Sequence, residues 1–100
     1  MIKAVIDIGT NTFNLLIAEK LDSGINIIET HKVAVSLGMG GINEGYLTED
    51  AMNRAMRAFE VFKVKISPYG VIPVLIATSA VRDAKNSKAF VDMVKADFGW

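Results

Sequence analysis

A chain of 100 residues, 51% hydrophobic and 22% charged, can bury a core, and it makes one small domain or a piece of a larger one. Basic and acidic residues balance at 11 each, so no bulk field favours nucleic acid or an anionic membrane, and any anion site must be built locally. With no cysteine and one histidine, disulfides, thiolate metal sites and zinc sites of the His/Cys kind are excluded. The N-terminus has no signal-peptide pattern and no run reaches membrane-spanning length, so a soluble cytoplasmic protein is expected.

Residues 1–7 read as a mostly buried strand, because Ile2, Ala4, Val5, Ile6 and Ile8 show little alternation. A second strand is expected over 13–20. After the turn signal Asp22-Ser23-Gly24, a third strand rich in Ile, Val and Thr follows over 25–35. Short connections between the three imply an antiparallel meander. His31 falls inside the third strand and reads as a surface or cross-strand residue.

Residues 36–47 form a glycine-rich connection. It lacks the Gly-Lys-Ser/Thr of a phosphate-binding Walker loop, and Asn43 stands where a dinucleotide fingerprint needs its last glycine. A flexible loop or a lip over a site is expected instead.

Thr48 caps a helix with Glu49 and Asp50 in its first turn. Met52, Ala55, Met56, Phe59, Phe62 and Ile66 make its apolar stripe, with Asp50–Arg54 and Glu60–Lys63 as expected ion pairs. Ser67-Pro68-Tyr69-Gly70 ends it. A fourth strand spans 71–77, its pairing starting only after Pro73. Asn86 or Ser87 caps the last helix, whose apolar positions are Ala89, Phe90, Val91, Val94 and Phe98, and Gly99 closes it. Three antiparallel strands, a helix, a strand added beside the first and a final helix make an α/β layer domain.

Two junctions in this pattern suit chemistry. Asp7-Ile8-Gly9-Thr10-Asn11-Thr12-Phe13-Asn14 sets an acid, a glycine and short polar side chains between two apolar strands. Gly9 permits a tight turn and close ligand approach; turn amides with Thr10, Asn11 and Thr12 suit a phosphate, and Asp7 suits a hydrated divalent cation or a water. An ordinary hairpin with polar turn residues accounts for the same letters. Thr78 and Ser79 follow the fourth strand directly, where helix-start amides could meet an anion and Arg82 could turn back with its fork of donors. N-capping and a surface arginine are the alternative there. If the fourth strand lies beside the first, both junctions share one sheet edge, the usual place for a ligand in open sheets.

With both junctions described, the sequence resembles the amino-terminal domain of the exopolyphosphatase/guanosine pentaphosphatase (Ppx/GppA) phosphatases. These belong to the superfamily of acetate and sugar kinases, heat-shock proteins and actin. The likeness rests on Asp7-Ile8-Gly9-Thr10-Asn11-Thr12, on Ser36-Leu37-Gly38, and on Ala77-Thr78-Ser79-Ala80-Val81-Arg82-Asp83-Ala84 followed by Asn86, in that order along nearly the whole chain.

The resemblance implies a ribonuclease-H-like (actin-like ATPase) domain, here partial over 1–100, of a two-lobed magnesium-dependent phosphatase that is a homodimer at full length. Such enzymes release terminal phosphate from inorganic polyphosphate or guanosine pentaphosphate. By the same likeness Asp7 would help hold Mg2+ and its water network, and Gly9, Thr10, Asn11 and Thr12 would bind phosphate. Arg82 would neutralise charge, and Thr78, Ser79 and Ser36 are further candidates. Many members carry arginine where Ser36 stands, and serine where Thr12 stands. The family's catalytic glutamate and second glycine-rich loop fall after residue 100, so this stretch alone is expected to be inactive. An ATP-dependent kinase of the same superfamily and a non-catalytic phosphate or nucleotide sensor are the alternatives. Phosphate release without an acceptor separates the kinase.

Overall fold

β-branched residues prefer the extended backbone, and the first third of the chain is rich in them. A computed structural model of the chain describes residues 1–37 and 45–100, with residues 79 and 80 represented by backbone alone. Strands β1 (Ile2–Ile8), β2 (Thr12–Leu21) and β3 (Gly24–Ala34) form the expected antiparallel meander. A bulge opposite Ile17 and Ala18 shifts the β2–β3 register once. Strand β4 (Val74–Ala77) lies parallel to β1 on its other side, giving the order β3-β2-β1-β4. It begins just after Pro73, which has no N–H to give to a ladder.

Helix α1 (Glu49–Ile66) starts where Thr48 accepts the Ala51 N–H at 3.0 Å. Its buried face is Ala51, Ala55, Ala58, Phe59, Phe62 and Ile66, while Met52 and Met56 lie only partly buried at the margin. Methyl-sized side chains at the centre of the stripe let the helix sit close to the sheet. A short 3-10 turn, Ser67–Tyr69, and Gly70 at φ 64° end it as expected. A four-residue helix α2 (Ser79–Arg82) and helix α3 (Ser87–Phe98) follow β4. Gly99, at φ 72°, returns its N–H to the Lys95 carbonyl and closes α3.

The core is centred on Phe59, whose ring lies 5.3 Å from Phe13 of β2, 6.1 Å from Phe90 of α3 and 5.8 Å from Trp100. Thus α1 and α3 share one face of the sheet, against Ala4, Ile6, Ile8, Leu15 and Ile17. The opposite face carries exposed Leu16, Ile25, Ile27, Val74 and Ile76. The expectation of a mostly buried first strand with little alternation is therefore corrected. Both long helices pack on the same side, so β1 alternates between buried Ala4, Ile6 and Ile8 and the more open Lys3, Val5 and Asp7.

Neither expected ion pair of α1 is among the described contacts. Arg54 turns away from Asp50 and donates through Nε to the Val35 carbonyl at 2.8 Å and through Nη2 to the Ser36 carbonyl at 2.9 Å. Two half-buried carbonyls are better partners for a forked cation than a solvated carboxylate. The Lys63 ammonium lies 6.0 Å from the centre of the Phe98 ring. The described salt bridges are Lys65–Glu29, which ties α1 to β3, and Lys88–Asp92 on α3. His31 is half-buried, edge-on to Phe62 at 6.2 Å.

The glycine-rich connection lies mostly outside the described residues, at 38–44. Among the described residues, no helix is long and apolar enough to cross a membrane.

Candidate functional site

The register brings the two junctions together. Because β4 is parallel to β1, Ile8 pairs with Ala77, and the Thr78 N–H continues the ladder to the Ile8 carbonyl at 3.2 Å. The turn after β1 and the residues after β4 therefore leave the sheet side by side at the carboxyl ends of neighbouring strands.

Gly9, Thr10 and Asn11 connect β1 to β2. The Gly9 N–H donates to the Thr12 carbonyl at 3.1 Å, so it is spent inside the turn rather than offered to an anion. Glycine is still required there: a Cβ would lie 2.8 Å from the Thr12 oxygen. The N–H groups of Thr10 and Asn11 find no acceptor among the described residues and are the amides left for a ligand. The Asn11 carbonyl accepts from both the Val35 and Ser36 N–H groups, each at 2.9 Å, which ties the turn to the end of β3. The Asn11 side chain is exposed, and Thr10 and Thr12 are half-buried.

Asp7 is exposed on the uncovered face, next to last in β1. Asn14 is directly opposite it on β2, and Lys32 is opposite Asn14 on β3, so the three form a polar row beside the turn. Strand alternation and the hairpin offset would have pointed to Asn14; Lys32 needed the β2–β3 register. Ser36 stands in the left-handed region at φ 55°, with its N–H on Asn11 and its carbonyl on Arg54, so only its hydroxyl remains available.

At the second junction the Arg82 N–H bonds the Thr78 carbonyl at 2.9 Å, forming the single turn of α2. Thr78 and Arg82 are exposed; the side chain of Ser79 lies outside the description. Arg82 makes no salt bridge among the described residues. It borders a groove of about 420 Å³ between β4 and α3, whose apolar walls include Ile8, Leu75, Ala77, Phe90 and Val94.

The expected capping by Asn86 or Ser87 is corrected here. Asn86 occupies the cap position of α3 but gives it no side-chain bond. Its amide instead accepts the Leu47 N–H at 2.8 Å and donates to the Leu47 carbonyl at 2.7 Å, while the Lys85 N–H bonds the Gly45 carbonyl at 2.7 Å. A side-chain amide can accept from a residue's N–H and donate to its C=O at once, so it staples the end of the glycine-rich connection to the second junction. Nothing local in the sequence signals that partner, which is 39 residues away.

Among the described residues no three His, Cys, Asp or Glu side chains cluster. The described residues therefore form no all-protein metal cage. One exposed carboxylate with neutral oxygen donors nearby suits magnesium, which commonly keeps several waters and takes one or two carboxylates plus substrate phosphate.

The Ppx/GppA phosphatase family model matches residues 16–100. An exopolyphosphatase from Cytophaga hutchinsonii superposes with a TM-score of 0.90 at 39% identity, covering 97% of this chain and 31% of that one. An Aquifex aeolicus Ppx/GppA member gives 0.89 at 34% identity, covering 100% and 33%, so the likeness includes the turn after β1 that the family model leaves out. The guanosine-5'-triphosphate,3'-diphosphate pyrophosphatase of Pseudoalteromonas translucida is 32% identical over an alignment of 91 residues that covers 87% of this chain and 18% of that protein. The chain thus spans about a third of the solved relatives and less of the curated one. Its mixed sheet and helices match the actin-like ATPase fold of those structures. On the matched residues and the shared fold, this chain belongs to the Ppx/GppA phosphatase family.

Proposed function

We propose that this chain is the amino-terminal, first-phosphate-loop portion of a two-lobed phosphohydrolase that releases terminal phosphate from inorganic polyphosphate or guanosine pentaphosphate. One observation carries the reading: the parallel β1–β4 register sets the turn at residues 9–11 beside Thr78 in a chain of this family. Phosphoanhydride cleavage asks mainly for positioning and charge stabilisation, and these junctions supply parts for both. The Thr10 and Asn11 amides, with the Thr10 and Thr12 hydroxyls, bind phosphate oxygens. Gly9 contributes by closeness rather than by its N–H. Arg82 neutralises charge on the substrate chain, with Thr78, Ser79 and the Ser36 hydroxyl as further contacts.

Asp7 holds magnesium, chiefly through water, and orients its hydration shell. When bound, the cation supplies charge neutralisation to the phosphate oxygens. The general base and the second phosphate loop come from the part of the protein that follows residue 100, so residues 1–100 alone do not turn over. The complete protein is cytoplasmic and dimeric.

The test is phosphate release by the full-length protein from polyphosphate and from guanosine pentaphosphate, with no acceptor and with magnesium present or chelated. Release that stops on chelation is expected. Phosphorylation of an acceptor by ATP, with no release from either substrate, would contradict the reading.

A further inference from the structure

We infer that Arg54 is a positioning residue for the phosphate turn, acting through the end of β3. The inference rests on the assignment of that turn to phosphate binding. Arg54 belongs to α1, on the helix-covered side of the sheet, and among the described residues it makes no hydrogen bond or salt bridge to residues 7–12. Its fork closes on two successive carbonyls, Val35 at 2.8 Å and Ser36 at 2.9 Å. The N–H groups of the same two residues both point at the Asn11 carbonyl, each at 2.9 Å. One peptide corner is therefore gripped by α1 from one side and grips the turn from the other.

The backbone of Ser36 shows that this corner is held and not merely relaxed. A non-glycine residue at φ 55° is disfavoured and persists where its surroundings over-determine it. The surroundings here are the guanidinium and the Asn11 carbonyl. Asn11 accepts both bonds through its carbonyl, one peptide from the Asn11 amide and two from the Thr10 amide, which the proposed function gives to phosphate. Releasing the corner lets those amides drift, and amides must be placed before the ligand arrives to bind it well. A lysine cannot reproduce the effect, since one ammonium lacks the rigid fork that reaches both carbonyls.

The experiment compares R54A, R54K and G9A in the full-length protein, measuring KM and kcat for polyphosphate together with the thermal midpoint. R54A is expected to raise KM about tenfold, the size of losing charge-assisted hydrogen bonds, while kcat changes less than threefold. R54K is expected to fall between R54A and the unaltered protein. KM for R54A and R54K equal to that of the unaltered protein, with G9A impaired, would overturn the inference and leave the phosphate turn standing. Unimpaired G9A would remove the phosphate turn itself. Should R54A fail to fold, R54K decides: a raised KM at an unchanged thermal midpoint supports the positioning role, and an unchanged KM overturns it.

Discussion

The two junctions that meet at this sheet edge are built differently. The turn after β1 is made by backbone: Gly9 to Thr12, and Asn11 to the end of β3, with no side chain supplying either bond. The junction after β4 is a single helical turn whose functional candidate is an exposed long side chain, Arg82. It is steadied from outside by the Asn86 amide on Leu47. The first junction can fix atoms in space before a ligand arrives; the second can follow a ligand. That division suits the proposed polyanionic substrate, with one phosphate held by the turn and the chain beyond it screened by an exposed arginine.

Three substitutions sharpen or break the comparison. The largest effect is expected from Asp7→Asn, which keeps size and exposure but removes the negative charge beside the rigid turn. Hydrolysis by the full-length protein should fall about a hundredfold or more, with the thermal midpoint unchanged because the side chain is exposed. Unchanged rates would remove Asp7 from the site. Next is Asn86→Ala, which leaves the backbone N–H and C=O of Leu47 without their side-chain partner. A loss of about 1–3 kcal/mol in denaturant titration is expected. A loss below about 0.5 kcal/mol would mean that the second junction does not depend on this staple. The smallest is Arg82→Ala, expected to raise KM about tenfold without altering stability, and to weaken the salt dependence of binding. An effect on kcat alone would place Arg82 at the reacting phosphate rather than along the chain.

Much of this was legible in the sequence, for identifiable reasons. The meander followed from short polar turns between β-branched runs, and β4 followed from an apolar run that starts after Pro73. Thr48, Gly70 and Gly99 mark helix ends through local rules that need no tertiary knowledge. The misreadings share a different cause. Local rules pair Arg54 and Asn86 with neighbours in their own helices, yet their partners lie 18–19 and 39 residues away. Long polar side chains choose among partners by burial, and burial is set only when the sheet and helices meet. Composition likewise marked β1 as mostly buried, whereas the side taken by α1 and α3 decided which of its residues became core.

The central claim is that both junctions serve one ligand, and amide chemical shifts test it most directly. Isotope-labelled full-length protein would be titrated with tripolyphosphate while the resonances of Thr10, Asn11, Thr78 and Arg82 are followed. All four are expected to move together along one binding curve, and Asp7→Asn should shift that curve without abolishing folded dispersion. Movement of one junction without the other, or two curves with separate midpoints, would contradict the account.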